Sequence, residues 1–187
     1  MKIKVLFIAS LLYSTYAFPQ TKNNISLVYG FNANRVDIHG AIGDYGYNKK
    51  NGQSYGLSYT RRFNKLFSIE TELLYSANKV QLSTIGGFGE RIYDGEVHML
   101  SIPVLAKWTF LKYLYGQSGV VLDHQTNYSA DHILDDQSGL GIEIGIGGKF
   151  NFGHVSIFAN PYLANHRFYN RNNLMEAGIK FGLGYYF

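Results

Sequence analysis

Apolar and polar residues alternate along most of this chain, and the alternation is clearest in residues 174–187, LMEAGIKFGLGYYF. From Met175 to Phe187 every second residue is apolar, and glycines and charged residues fill most of the positions between them. A period of two places these two sets on opposite faces of a β-strand. The stretch is longer than most strands of globular proteins, and its pattern is typical of a strand that crosses a membrane as part of a β-barrel.

Seven earlier segments repeat the alternation, so the chain predicts eight strands in all. Before the last strand they cover 25–33, 55–63, 67–76, 97–109, the stretch from a turn at 111–112 to about 123, 140–150 and 155–164. Short turns are predicted near 64–66, 110–112 and 151–153, and long polar loops near 37–51, 77–95, 124–137 and 165–173. Within the fourth strand we expect a local bulge at Pro103, because proline cannot donate to the ladder.

Short turns that alternate with long loops are the rule for outer-membrane barrels, where the short turns face the periplasm. The prediction is therefore an all-β fold, an eight-stranded antiparallel up-and-down transmembrane β-barrel. An open sheet edge in lipid would leave backbone groups without partners. For this reason we expect the last strand to pair with the first, at residues 25–33.

The first residues are typical of a signal peptide that directs export. Lys2 and Lys4 form a basic region, residues 5–12 are mostly apolar, and Thr15 and Ala17 offer a small-x-small cleavage site. We expect a signal peptide over 1–17, with cleavage up to residue 20 as a variant, and a barrel domain over 18–187. The alternative is a short N-terminal membrane anchor. The predicted location is the cell outer membrane.

Composition narrows the choice of partners and chemistry. The chain has no cysteine, which excludes disulfides and thiol chemistry. Its formal charge of +4 falls to +2 without Lys2 and Lys4. A nearly neutral mature protein does not indicate a nucleic-acid partner.

The segment Met99 to Trp108, MLSIPVLAKW, is similar to a strand with the pattern L-x-I-P-hydrophobic-x-x-K. That strand is common in porin-family and PorT-like β-barrel proteins of Bacteroidota, and the resemblance covers nearly all of the mature chain. It implies an outer-membrane location. It also implies that the barrel-assembly machinery recognises the last strand through Tyr185 and Phe187. PorT itself is linked to a secretion system, and no residue set here carries that role over.

Charged residues recur on the face of the strands that is predicted to point into the barrel. They are Arg62, Glu70, Glu72, Lys107, Glu143, Lys149, Glu176 and Lys180. Four are acidic and four are basic, which predicts a lumen filled by ion pairs. A narrow ion path or a small-ligand pocket is the alternative.

Two other groups could carry chemistry. His154 and Ser156 hint at a nucleophile, but they follow a predicted periplasmic turn and no acid lies beside them, so we expect no enzymatic activity. Asp131, His132, Asp135 and Asp136 share one loop, yet their spacing matches no strong metal template. We therefore expect neither a metal nor a cofactor.

The sequence thus predicts a structural or surface-interaction role carried by long extracellular loops. Outer-membrane lipid, lipopolysaccharide, the barrel-assembly machinery and a surface or periplasmic protein are the expected partners. The competing hypothesis is a transport protein, either a narrow porin-like channel or an accessory component of an outer-membrane secretion system. A soluble ligand-binding barrel is a third class, and it would need polar residues where this chain has apolar ones.

Overall fold

A computed structural model describes residues 23–38, 45–48, 50–86, 89–127, 136–167 and 172–187. The predicted signal peptide lies outside these ranges. Within them the chain forms nine strands. They are β1 (Asn23–Ile38), β2 (Tyr45–Asn48), β3 (Lys50–Arg62), β4 (Phe67–Gly86), β5 (Gly89–Thr109), β6 (Leu114–Gln125), β7 (Gly139–Phe152), β8 (Val155–Asn165) and β9 (Asn172–Tyr186). The described ranges hold no helix that is long and apolar enough to cross a membrane.

Eight of these strands close into one antiparallel barrel. The order is β1-β3-β4-β5-β6-β7-β8-β9, and β9 pairs back with β1. The short β2 adds four more pairs to β4. Ile25 lies opposite Tyr185 and Ala33 lies opposite Ala177 in the closing pair. The predicted fold and the predicted closing pair are both confirmed.

The strand period of two sorts side chains between the lumen and the outer surface. In β1, for example, Leu27 and Tyr29 are exposed while Ser26 and Val28 are buried. Among the buried residues of the described ranges, polar and charged side chains outnumber apolar ones. The buried apolar residues Leu74 and Phe158 form a small cluster with Val28. We therefore expect hydrogen bonds and ion pairs, more than apolar contacts, to hold the interior side chains together.

Three short connections join strands at one end of the barrel, which we call the turn end. They cover 63–66, 110–113 and 153–154. Asn64 holds the first by accepting hydrogen bonds from the backbone N–H groups of Leu66 and Phe67, at 2.8 and 2.7 Å. Gly153 has a φ of 61°, a left-handed conformation that suits glycine. The three predicted short turns are confirmed here.

Two of the predicted long loops are wrong. The described residues of 37–51 belong to the end of β1, to β2 and to the start of β3. Within 77–86 and 89–95, β4 and β5 continue to pair as far as Gly86 opposite Gly89. We call this continuation the β4–β5 hairpin. The polar, glycine-rich composition of both segments predicted loops, but backbone pairing between strands does not depend on a continuous apolar face. Residues 128–135 and 168–171, from the other two predicted loops, lie outside the described residues.

The bulge predicted at Pro103 is also wrong. Thr71 lies opposite Val104 and Leu74 lies opposite Ser101, so the register of β4 and β5 is the same on both sides of the proline. The two pairs between these positions are missing from the ladder. The absent N–H of Pro103 therefore interrupts the hydrogen bonding without adding a residue.

Gly56 in β3 provides a test of how closely the strands pack. A β-carbon built at this position overlaps the backbone carbonyl oxygen of Leu73 in β4, whereas one built at Gly116 has its nearest neighbour at 4.0 Å. We expect Gly56→Ala to lower the free energy of unfolding by about 1–3 kcal/mol, because backbone must move to admit the methyl group. Urea unfolding of the purified barrel measures this. Gly116→Ala is the matched control. Equal effects of the two variants would contradict the close packing of Gly56 against Leu73.

Candidate functional site

The centre of the lumen holds one lysine between two carboxylates. Lys180 of β9 places its Nζ 2.6 Å from Glu72 Oε2 and 2.8 Å from Glu143 Oε1. Glu72 belongs to β4 and Glu143 to β7, and all three side chains are buried. Each points inward because of its parity in its strand. The contacts join three strands across the interior.

A second buried ion pair lies nearer the turn end. Lys107 Nζ of β5 is 2.6 Å from Glu70 Oε2 of β4. Thr60 of β3 donates a hydrogen bond of 2.6 Å to the same oxygen. Lys107 Nζ also lies 4.3 Å from the ring centroid of Tyr115, a favourable cation–π geometry. The Glu70 carboxylate therefore has both a charge partner and a hydroxyl donor.

A third cluster lies toward the opposite end, which we call the loop end. His166, just after β8, places Nδ1 2.7 Å from Asp123 Oδ2 and Nε2 3.6 Å from Glu176 Oε2. Asn32 and Tyr162 donate hydrogen bonds of 2.6 and 3.1 Å to the two oxygens of Glu176. The imidazole thus bridges two buried carboxylates that come from β6 and β9.

The loop end is further closed by Gln137. This side chain is fully buried, and its Oε1 accepts a hydrogen bond of 3.0 Å from the backbone N–H of Leu174. The backbone N–H of Gln137 donates to Gln125 Oε1 at 2.8 Å. Beside it, Ser138 donates to the Asp136 carboxylate from its hydroxyl and its backbone N–H, which keeps the pKa of Asp136 below its usual value. The segment 136–138 therefore lies over the lumen as an ordered cap.

The turn end of the lumen is basic. Arg62 Nη2 donates a hydrogen bond of 3.3 Å to the hydroxyl of Tyr186. Lys149 Nζ lies 4.8 Å from the ring centroid of the same tyrosine. Both cations are half-buried. Positive charge therefore collects at the turn end, while Asp123 and Glu176 lie at the loop end.

The structure brings together most of the charges that the sequence assigned to the lumen. Six of them form the buried contacts described above, and Arg62 and Lys149 lie at the turn end. Sequence reasoning missed Asp123 and His166. Asp123 lies on the same face of β6 as the buried Val121 and Gln125. The alternation of the strand could therefore have predicted that Asp123 points inward. His166 had no such signal, since it follows the last residue of β8.

The remaining chemical candidates gain no support from geometry. His154 is exposed in a turn with Nδ1 3.2 Å from the carbonyl oxygen of Tyr186, while the buried Ser156 accepts a hydrogen bond of 3.0 Å from Asn24. The two side chains therefore have different partners. In the described part of the chain, no group of three histidine or acidic residues is arranged to hold a metal. Of the candidate metal loop, 131–135 lies outside the described residues.

The two residues assigned to assembly, Tyr185 and Phe187, lie on or just after β9 and are both exposed. Tyr185 faces outward, on the same side of the strand as Leu183. Their recognition by assembly machinery stays a prediction.

These features define a class, a small closed barrel with an apolar exterior and a charged, hydrogen-bonded interior. No protein-family model matches the sequence, and no curated protein matches it. Among solved structures, the chain is similar to the outer membrane protein OprG of Pseudomonas aeruginosa. The TM-score is 0.59 at 12% sequence identity, over 89% of this chain and 95% of OprG.

The chain is also similar to Ail, the attachment invasion locus protein of Yersinia pestis. The TM-score there is 0.45 at 18% identity, over 88% of this chain and 99% of Ail. At 12% identity, the likeness to OprG shows a shared fold, the eight-stranded barrel. Membership of the porin-family or PorT-like proteins of Bacteroidota stays a prediction.

Lys180 is the residue on which the central cluster depends. We expect Lys180→Gln to lower the free energy of unfolding by about 3–5 kcal/mol, because it leaves Glu72 and Glu143 buried without a cation. Lys50→Gln is the control, since Lys50 pairs with Asp94 at 3.7 Å on the surface, where ion pairs contribute about 0–1 kcal/mol. Urea unfolding followed by gel mobility measures both. An effect of Lys180→Gln no larger than that of Lys50→Gln would refute a structural role for the cluster.

Proposed function

We propose that this protein is a small outer-membrane β-barrel with a side-chain-filled lumen and a non-enzymatic role in structure or surface interaction. The proposal rests on the distribution of side chains, which is the reverse of that in a water-soluble barrel. Leucine, isoleucine and aromatic side chains cover the outside, and ion pairs fill the inside. A lipid-facing exterior and a polar interior are the features of outer-membrane barrels, whereas a barrel in water needs the reverse.

Exposed aromatic side chains near the short turns support a membrane boundary at this end. The rings of Tyr113 and Phe150 stack with their centroids 4.7 Å apart. The ring centroids of Phe67 and Trp108 are 5.9 Å apart. Aromatic girdles of this kind lie at the membrane–water interfaces of such barrels. Because short turns face the periplasm in such barrels, we assign the turn end to the periplasmic side, where the exposed Tyr185 and Phe187 are available to the barrel-assembly machinery.

The loop end is the surface that we assign to interaction with partners. β6 ends at Gln125, close to Met99 in the ladder with β5, while β5 continues to pair with β4 as far as Gly89. The β4–β5 hairpin thus projects beyond the neighbouring strand, and it carries the exposed Ile92 and Asp94. The partners we propose are outer-membrane lipid and lipopolysaccharide, and a surface or periplasmic protein.

A transport role is the competing proposal, either as a narrow porin-like channel or as an accessory component of a secretion system. The Lys180 cluster and the Gln137 cap disfavour a channel, because both occupy the lumen. An accessory role needs no open lumen, and it would require that the proteins that crosslink to the β4–β5 hairpin be components of a secretion system.

Conductance separates a filled lumen from a channel. Purified protein in planar lipid bilayers is expected to show no steady channels. Steady channels from the unaltered protein would contradict a side-chain-filled lumen and favour the porin-like alternative.

A charge on the outer wall tests insertion in lipid. Ile144 in the middle of β7 and Ile92 on the β4–β5 hairpin are both exposed, at 51% and 55%. Ile144→Arg should lower the free energy of unfolding in liposomes by about 2–4 kcal/mol, because lipid does not solvate the guanidinium. Ile92→Arg, beyond the membrane in our proposal, should change it little. If both variants are tolerated equally, the barrel does not span lipid at Ile144.

A further inference from the structure

We propose that the turn end of the lumen is a binding pocket for a small tetrahedral oxyanion of the phosphate class, held between Arg62 and Lys149. The pocket is separate from the surface role of the loop end, and a barrel without any surface partner would still contain it. Its basis is a cavity, a pair of cations without acidic partners, and the arrangement of donors around them.

The cavity has the size of a small ion. Its volume is about 40 Å³, and its lining includes Thr60, Arg62, Lys107, Lys149 and Tyr186. A cavity of this volume holds roughly three water molecules, so one small oxyanion can take their place. A wider recess of about 350 Å³ shares Arg62 and Tyr186 with it and is also lined by the exposed His154 in the turn 153–154. The recess gives the cavity a route to the turn end.

The two cations that would hold the anion, Arg62 and Lys149, lack the acidic partners that the buried lysines have. Lys107 and Lys180 each contact a carboxylate at 2.6 Å. Among the described residues, by contrast, no carboxylate lies within 4.0 Å of Arg62 or Lys149. Two half-buried positive charges next to each other are costly without a counter-charge. A bound anion would supply that charge.

The donors around the cavity suit phosphate or sulfate. The guanidinium of Arg62 offers a planar fork that can contact two oxygens at once, and the ammonium of Lys149 adds a point charge. The Tyr186 hydroxyl lies within hydrogen-bonding distance of Arg62 and lines the same cavity. The buried acid Glu70 is bound by Lys107 and Thr60, which both line the cavity, so its repulsion of an anion is largely offset.

The test uses the full barrel, folded and purified in a maltoside detergent without phosphate. Isothermal titration with inorganic phosphate, sulfate and acetate is expected to show saturable binding of phosphate and sulfate and weaker binding of acetate. Arg62→Gln and Lys149→Gln should each weaken phosphate binding at least about tenfold, which corresponds to the loss of one charged contact. Lys65→Gln removes the same charge from the exposed turn 63–66 and should leave the affinity unchanged.

The failure of either expectation is informative. No saturable phosphate binding, or an equal loss in Lys65→Gln, would overturn the pocket in favour of general attraction to a basic surface. Tighter binding of acetate than of phosphate would overturn the assignment of the anion class. Heat-modifiable gel migration reports whether each variant is folded, and Arg62→Gln alone decides the result if Lys149→Gln does not fold.

Discussion

The contact of Lys180 with Glu72 and Glu143 is the interaction on which the rest of the interior depends. The removal of three charges from water costs several kcal/mol per ion, and only close pairing offsets it. The three residues come from β9, β4 and β7, so the pairing requires these strands to present their inward faces at one level of the lumen. A register shift of one residue would turn any of these side chains outward. The cluster therefore selects one register of the barrel, and the charges at either end are arranged around it.

Strand parity made most of the fold readable from the sequence. The outward leucines and aromatics, the three short turns and the pairing of β9 with β1 all follow from a period of two and from the need to close the sheet. The errors have one cause, which is that side-chain patterns report the surroundings of a strand better than its backbone pairing. Residues 77–86 and 89–95 are rich in glycine and polar residues and still form a ladder, and Pro103 interrupts hydrogen bonds without shifting them.

Most of the interior charges could also be predicted from the alternation of residues along the strands. Glu70, Glu72 and Lys180 stand in strongly alternating segments, so their parity assigned them to the lumen. Asp123 was not predicted to point inward because residues 116–119 of β6 are small or polar on both faces. The sequence therefore defines only weakly which face of this strand is the inner one. His166 was not predicted because it follows the last residue of β8, where the alternation of inward and outward side chains no longer applies. Residues of this kind reach a site through tertiary structure alone.

The β4–β5 hairpin has a consequence for any partner at the loop end. A partner that binds a flexible segment of this length must lose the conformational freedom of that segment on association, at about 1–2 kcal/mol for each backbone residue fixed. The ladder from Asn78 opposite Val97 to Gly86 opposite Gly89 has already lost this freedom during folding. For such a partner the hairpin would be preorganised, and even a small contact area on it could give measurable affinity.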